Sequence, residues 1–134
     1  MADTGALYAL IDRSDAWHER VRSWWARTTE EIVVPVVVLP ELAYLLLHRI
    51  GADAELALVR SVADGEFTLE ALESDDVARA ADLMAIYSDA SIGFVDAAIA
   101  AAAERLGAIA VLTTDRRHFS LIRPRHAIGF RLLP

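Results

Sequence analysis

The sequence predicts an α/β fold: a three-layer α/β/α sandwich with a mostly parallel central sheet, built as one domain over residues 1–134. Three observations lead there. Helical and strand-like segments alternate along the chain, the order expected of parallel strands joined by helical crossovers. The run "AIAVLT" reads as a buried strand. The helix "GFVDAAIAAAAERLG" is rich in alanine, whose small side chain lets a helix approach a sheet or another helix closely.

The elements follow in order. "DAWHERVRSWWARTT" has apolar residues at 17, 21, 24 and 25, a helical spacing. "EIVVPVVVLPELAYLLLHRIG" opens as a β-branched run, meets Pro35 and Pro40, and turns helical from about Pro40 to a stop near Gly51. "DAELALVRSVADG" is a helix with an acidic first turn and a glycine stop. "EFTLEAL" alternates as a short strand. "SDDVARAADLMAIYSDA" is a helix with Ser74 as its cap, and the alanine-rich helix 93–106 ends at Gly107. "AIAVLT" and "AIGFRLL" supply the last two strands.

Composition narrows the chemistry. At 55% hydrophobic and 25% charged residues the chain is globular. It has no cysteine, hence neither disulfides nor thiolate chemistry. All 13 basic residues are arginine, and the lack of lysine excludes P-loop and Schiff-base enzymes. The opening "MADTGALYALIDRSD" has no basic n-region, and no apolar run is long enough to span a bilayer. A cytoplasmic protein without membrane association is expected. The net charge of −7 is uneven, because residues 116–134 carry five arginines and no acid. That tail either meets phosphate or balances nearby acids.

Four acids fall at predicted strand ends or first helical turns: Asp3, Glu41, Asp96 and Asp115. In a parallel sheet those places share one edge, where ligands bind. Each acid alone has a structural reading: Asp3 as a turn acid, Glu41 as a helix-dipole partner, Asp96 as a helix cap, Asp115 in an Asx turn. Together they repel, and a divalent cation resolves the conflict. Oxygen donors suit Mg²⁺ or Mn²⁺ rather than Zn²⁺. Histidines 18, 48, 118 and 126 form no zinc motif and read as surface or packing residues.

The ordered set "DTGAL", "LPELAYLL", "GFVDAAIAAAAERLG" and "TTDRRHF" resembles the PIN-domain family, most of all the VapC-type toxins of bacterial toxin–antitoxin pairs. The resemblance covers almost the whole chain. It implies a Mg²⁺-dependent endoribonuclease, with Mn²⁺ as a possible substitute, neutralised by a cognate antitoxin and commonly a homodimer. Asp3, Glu41, Asp96 and Asp115 match the family's acidic positions, with Asp3, Asp96 and Asp115 as metal ligands. Thr4 and Thr114 stand beside two of the acids and are expected to orient carboxylates by hydroxyl hydrogen bonds. Arg116, Arg117, Arg123 and Arg125 are candidate contacts to RNA phosphates. The family's first strand usually carries several apolar residues before its Asp, whereas this chain offers Met1 and Ala2.

The expected reaction is phosphodiester hydrolysis of single-stranded or looped RNA, in which a cation lowers the pKa of a water and offsets charge on the phosphate. Two alternatives stay open: a non-catalytic PIN-like module that holds a protein partner, and a DNA-directed nuclease using similar carboxylates. A haloacid-dehalogenase phosphatase needs a second acid after its first, which "DTG" lacks. Trp17, Trp24 and Trp25 fall in one early helix, where half-buried tryptophans more often serve the core than an interface.

Overall fold

The sheet is assembled around the first three residues. In the computed structural model, which describes residues 1–134, the Met1 ammonium donates to Ala110 O at 2.9 Å and Leu112 N–H to Met1 O at 2.8 Å. Asp3 N–H donates to Leu112 O at 2.9 Å, and Ala2 N–H reaches the other way to Val33 O at 2.8 Å. Residues 1–3 therefore link two parallel ladders. One pairs β1 (Val33–Pro35) with β2 (Thr68–Glu70), the other β3 (Ala110–Leu112) with β4 (Arg131–Leu133). The bridge from Ala2 to Leu112 is also parallel. Residues 1–3 thus lie centrally between the two ladders, and their backbone groups find partners on both sides.

Between the strands lie seven α-helices: α1 (Thr4–Ile11), α2 (His18–Trp25), α3 (Val38–Arg49), α4 (Ala52–Ala63), α5 (Ser74–Ile86), α6 (Phe94–Leu106) and α7 (Arg116–Leu121). A 3₁₀ turn at Ser88–Ala90 precedes α6. α1 packs on α2 and α3, α3 on α4, and α5 on α6, giving two helical groups for one sheet. The predicted α/β/α sandwich with its parallel sheet is the observed fold. The core draws on α1, α3 to α7, β1 and β3, from Leu7 and Leu42 to Ile99, Val111 and Phe119, with Trp24, Trp25, Leu132 and Leu133 packed against it. No helix is long and apolar enough to cross a membrane.

The differences from the sequence reading have local causes. α1 is unforeseen: "TGALYALI" is apolar without period, and Thr4, Ala6, Leu7, Tyr8 and Ala9 are all buried. α3 begins at Val38, two residues before Pro40. A proline fits there because the N–H groups of a first turn have no intrahelical partner. α5 is capped by Glu73, whose side chain forms a capping box with Asp76, and Ser74 is its first helical residue. α6 stops as predicted: Gly107 takes φ 67°, and Ala108 N–H closes on Ala103 O at 2.9 Å. Trp24 and Trp25 pack against the core, but Trp17 lies just before α2.

Candidate metal centre

Because the strands run parallel, the residues that follow them emerge at one edge. Asp3 leaves the central strand and becomes the N-cap residue of α1. It is only 5% exposed, and its Oδ2 accepts the Thr113 hydroxyl at 2.8 Å. Thr113 follows β3 and is itself fully buried; its Oγ1 also accepts Asp115 N–H at 2.9 Å. One threonine therefore sets the spacing of two acids. Thr4, in the first turn of α1, donates its hydroxyl to Glu41 Oε2 at 2.7 Å, which ties α1 to α3. The carboxylate Thr4 meets is that of Glu41, not that of its neighbour Asp3. The part expected of Thr114 falls to Thr113. Thr114 instead lies against Gly5, where a β-carbon would collide with Thr114 Oγ1.

Asp96 is the third residue of α6, and Gly93 holds the N-cap position. The cap reading of Asp96 is therefore incorrect. Its Oδ2 lies 2.9 Å from His118 Nδ1. Asp115 does cap a helix: as the N-cap of α7 its Oδ1 accepts His118 N–H at 2.9 Å, while its Oδ2 lies 3.0 Å from the same His118 Nδ1. A carboxylate at a helix start is favoured by the exposed N–H groups there.

His118 corrects the sequence reading, which placed all four histidines on the surface or in packing. The signal was present as an Asp followed three residues later by a His in "DRRH", an i, i+3 pair that meets on one helical turn. It was missed because α7 itself was not foreseen. The other three histidines bond to backbone carbonyls: His18 to Ala9, His48 to Tyr44 and His126 to Ala108.

The electrostatics match a crowded anionic site. Burial pushes the Asp3 carboxyl up from 3.8 to about 6; the Thr113 hydroxyl opposes that shift, and repulsion from Asp96 and Glu41 adds to it. Burial likewise raises Asp96, with His118 opposing and Asp115 and Glu41 adding. Asp3 and Glu41 are thus electrostatic neighbours of Asp96, and Asp96 of Asp115, although Asp3 and Glu41 stand outside the tightest group of donors. Donor atoms of Asp96, Asp115 and His118 lie within 4.8 Å of one another. Asp3 is buried and Asp96 and Asp115 are partly so, and carboxylate oxygens in such a setting are donors that a divalent cation fits.

The four predicted arginines are divided. Arg116 lies beside Asp115, with its guanidinium 5.5 Å from the Trp17 ring centre and bonded to Pro134 O. Arg117 is exposed and forms no ion pair or hydrogen bond through its side chain. Arg123 turns back on its own helix end, donating to the carbonyls of Ser120, Leu121 and Ile122. Arg125 lies against Glu104 and Asp82. Eight residues of α6 separate Glu104 from Asp96, about 12 Å along the axis.

A parallel α/β sandwich with four acids and a histidine at one strand edge is a class of domain suited to bind a divalent cation. The chain matches the PIN domain family over residues 1–123. It is 37% identical over 132 residues, 98% of each chain, to ribonuclease VapC26 of Mycobacterium tuberculosis (strain ATCC 25618 / H37Rv). The fold matches that of VapC20 of Mycobacterium tuberculosis, a sarcin-ricin loop cleaving toxin. The TM-score is 0.81 and the identity 24%, over 87% of this chain and 89% of that one. FitAcB from Neisseria gonorrhoeae matches with a TM-score of 0.62 and 18% identity, over 85% and 86% of the two chains. The chain belongs to the PIN-domain family, in its VapC-type branch.

Proposed function

We propose that this chain is a divalent-cation-dependent endoribonuclease, the toxin of a toxin–antitoxin pair, acting as a single domain over residues 1–134 in the cytoplasm. The observation that carries this reading is the convergence of Asp3, Glu41, Asp96 and Asp115 at one edge of the sheet in a PIN-domain chain. The 37% identity to a ribonuclease supports RNA as the substrate. β4, which lies beyond residue 123, pairs in the same sheet and supports one domain to the end of the chain.

Asp3, Asp96 and Asp115 hold the cation, Mg²⁺ or Mn²⁺. Once bound, it supplies Lewis acidity, lowering the pKa of a water and offsetting phosphate charge. The chain's own groups do the rest. Thr113 fixes Asp3 and the backbone of Asp115, so these carboxylates keep their places without substrate. Thr4 holds Glu41 through Oε2, which leaves Oε1 to accept a proton from the attacking water. Arg116 and Arg117 meet the RNA backbone, whereas Arg123 is occupied at its helix end and Arg125 lies beside Glu104, at the end of α6 far from Asp96. An antitoxin covers the acidic edge, and the toxin pairs with a second copy of itself.

The test is direct. Purified protein cleaves RNA with Mg²⁺ or Mn²⁺ and stops in EDTA. Asp96→Asn abolishes cleavage and leaves the circular-dichroism spectrum unchanged. Cleavage that persists in EDTA, or in Asp96→Asn, removes the metal centre from the reaction.

A further inference from the structure

His118 is placed in the acidic site by its backbone as well as by its ring. Its N–H caps onto Asp115 Oδ1 at 2.9 Å, and its Nδ1 stands 2.9 Å from Asp96 Oδ2 and 3.0 Å from Asp115 Oδ2. Two ligands bound cis to an octahedral cation at about 2.1 Å stand roughly 3 Å apart. The imidazole nitrogen therefore already has the cis-ligand spacing to both carboxylates. Without a cation, an Nδ1 proton bridges the same two oxygens. With a cation, the neutral ring carries its proton on Nε2, which bonds to no group of the chain.

We propose that His118 Nδ1 is a ligand of the cation, which makes the centre a mixed nitrogen and oxygen site that prefers Mn²⁺ to Mg²⁺. This rests on the metal-dependent reading above. Imidazole nitrogen binds transition-metal ions far better than Mg²⁺, whose preferred donors are carboxylate, carbonyl and water. The other three histidines bond to backbone carbonyls and lie outside the cluster. A nitrogen signal from the bound cation thus has one source.

The experiment is pulsed electron paramagnetic resonance on the Mn²⁺-loaded protein, with Mn²⁺ and Mg²⁺ dissociation constants measured by calorimetry. The comparison is with His118→Asn, whose amide N–H still reaches the carboxylates but offers no imidazole lone pair. Wild type is expected to show ¹⁴N coupling to Mn²⁺ that disappears in the variant. The variant's Mn²⁺ dissociation constant is expected to rise about tenfold or more, with a much smaller change for Mg²⁺. Mn²⁺ bound without ¹⁴N coupling, or an unchanged ratio of the two constants, overturns the assignment while leaving the metal centre standing. Failure of wild type to bind either ion overturns both readings. If His118→Asn does not fold, the wild-type spectrum alone decides.

Discussion

Asp3 is the residue at which the site and the fold conflict most. Its carboxyl is buried and raised from 3.8 to about 6, a shift equivalent to about 3 kcal/mol against the charged form. Between those values the native chain binds more protons than the unfolded one, so stability rises as pH falls through about 6. The penalty is present in full above that pH and gone below 3.8. In EDTA at pH 7.5, Asp3→Asn should therefore be more stable than wild type by about 1–3 kcal/mol, with the gap closing toward pH 4. Urea unfolding at the two pH values checks this; a variant less stable at both would show that the anion is held favourably. The neighbouring Gly5 has a steric constraint instead. A β-carbon there meets Thr114 Oγ1 and comes within 3.6 Å of Asp3 Oδ2. Gly5→Ala should lose about 1–3 kcal/mol by overpacking and lose cleavage as Asp3 is displaced. Wild-type cleavage in Gly5→Ala would mean that Thr114 yields without moving the site.

At the scale of elements, what could be read from the sequence depended on period and punctuation. α6 was legible because Gly107 stops it, and β3 because its short apolar run stands between turn-forming residues. α1 and α7 were not. α1 is buried nearly all round and has no polar face to reveal a period. α7 has six residues, too few to display one. The positions of the acids follow from two kinds of place: Asp3 and Asp115 come just after strand residues, and Glu41 and Asp96 sit in first helical turns. His118 was hidden with α7, and Thr113 rather than Thr114 became the anchor because a residue's facing depends on where its strand ends. α5 and α6 show how the far end of the molecule is secured. Arg105 on α6 meets Asp76 at 2.9 Å, Glu70 at 2.8 Å and Glu73 at 3.3 Å, while Arg79 on α5 pairs with Glu104 at 2.8 Å. Burial raises Asp76, but Arg105 and the Glu73 N–H outweigh it, so its carboxyl titrates below the usual range. Arg105→Ala leaves a buried, unpaired Asp76 and should destabilise by about 3 kcal/mol. In wild type this contribution is present above the unfolded carboxylate value and is lost as pH falls through the lower native one. Urea unfolding at pH 7 and pH 3 should therefore show a large Arg105→Ala deficit that shrinks in acid. A deficit independent of pH would assign the effect to packing of the arginine stem.

On the scale of the whole molecule, the charge pattern asks how an acidic body meets an RNA backbone. The chain carries −7 overall, yet five arginines and no acid lie in residues 116–134. Most of that positive charge is used internally. Arg131 pairs with Glu30 at 2.8 Å, Arg125 stands 4.0 Å from Asp82, and Arg123 caps the carbonyls at the end of α7. Arg116 is held over Trp17, beside the acidic edge, and Arg117 next to it has no side-chain partner. The outer arginines of the tail are engaged within the chain, Arg116 is bonded to Pro134 O, and Arg117 is the one whose guanidinium has no partner. Each phosphate contact that releases a counterion from single-stranded RNA adds about 0.7 to the slope of log affinity against log salt. Arg117→Gln should thus weaken RNA binding and flatten the slope by about 0.7, with no change in melting temperature. Arg123→Gln should do the reverse, keeping the slope and melting lower as the carbonyls of α7 lose their donor. Binding is read with uncleaved RNA on an Asp96→Asn background, so that turnover does not distort it. If both variants change the slope equally, the backbone crosses the whole of α7. If neither does, RNA is held by the cation edge alone.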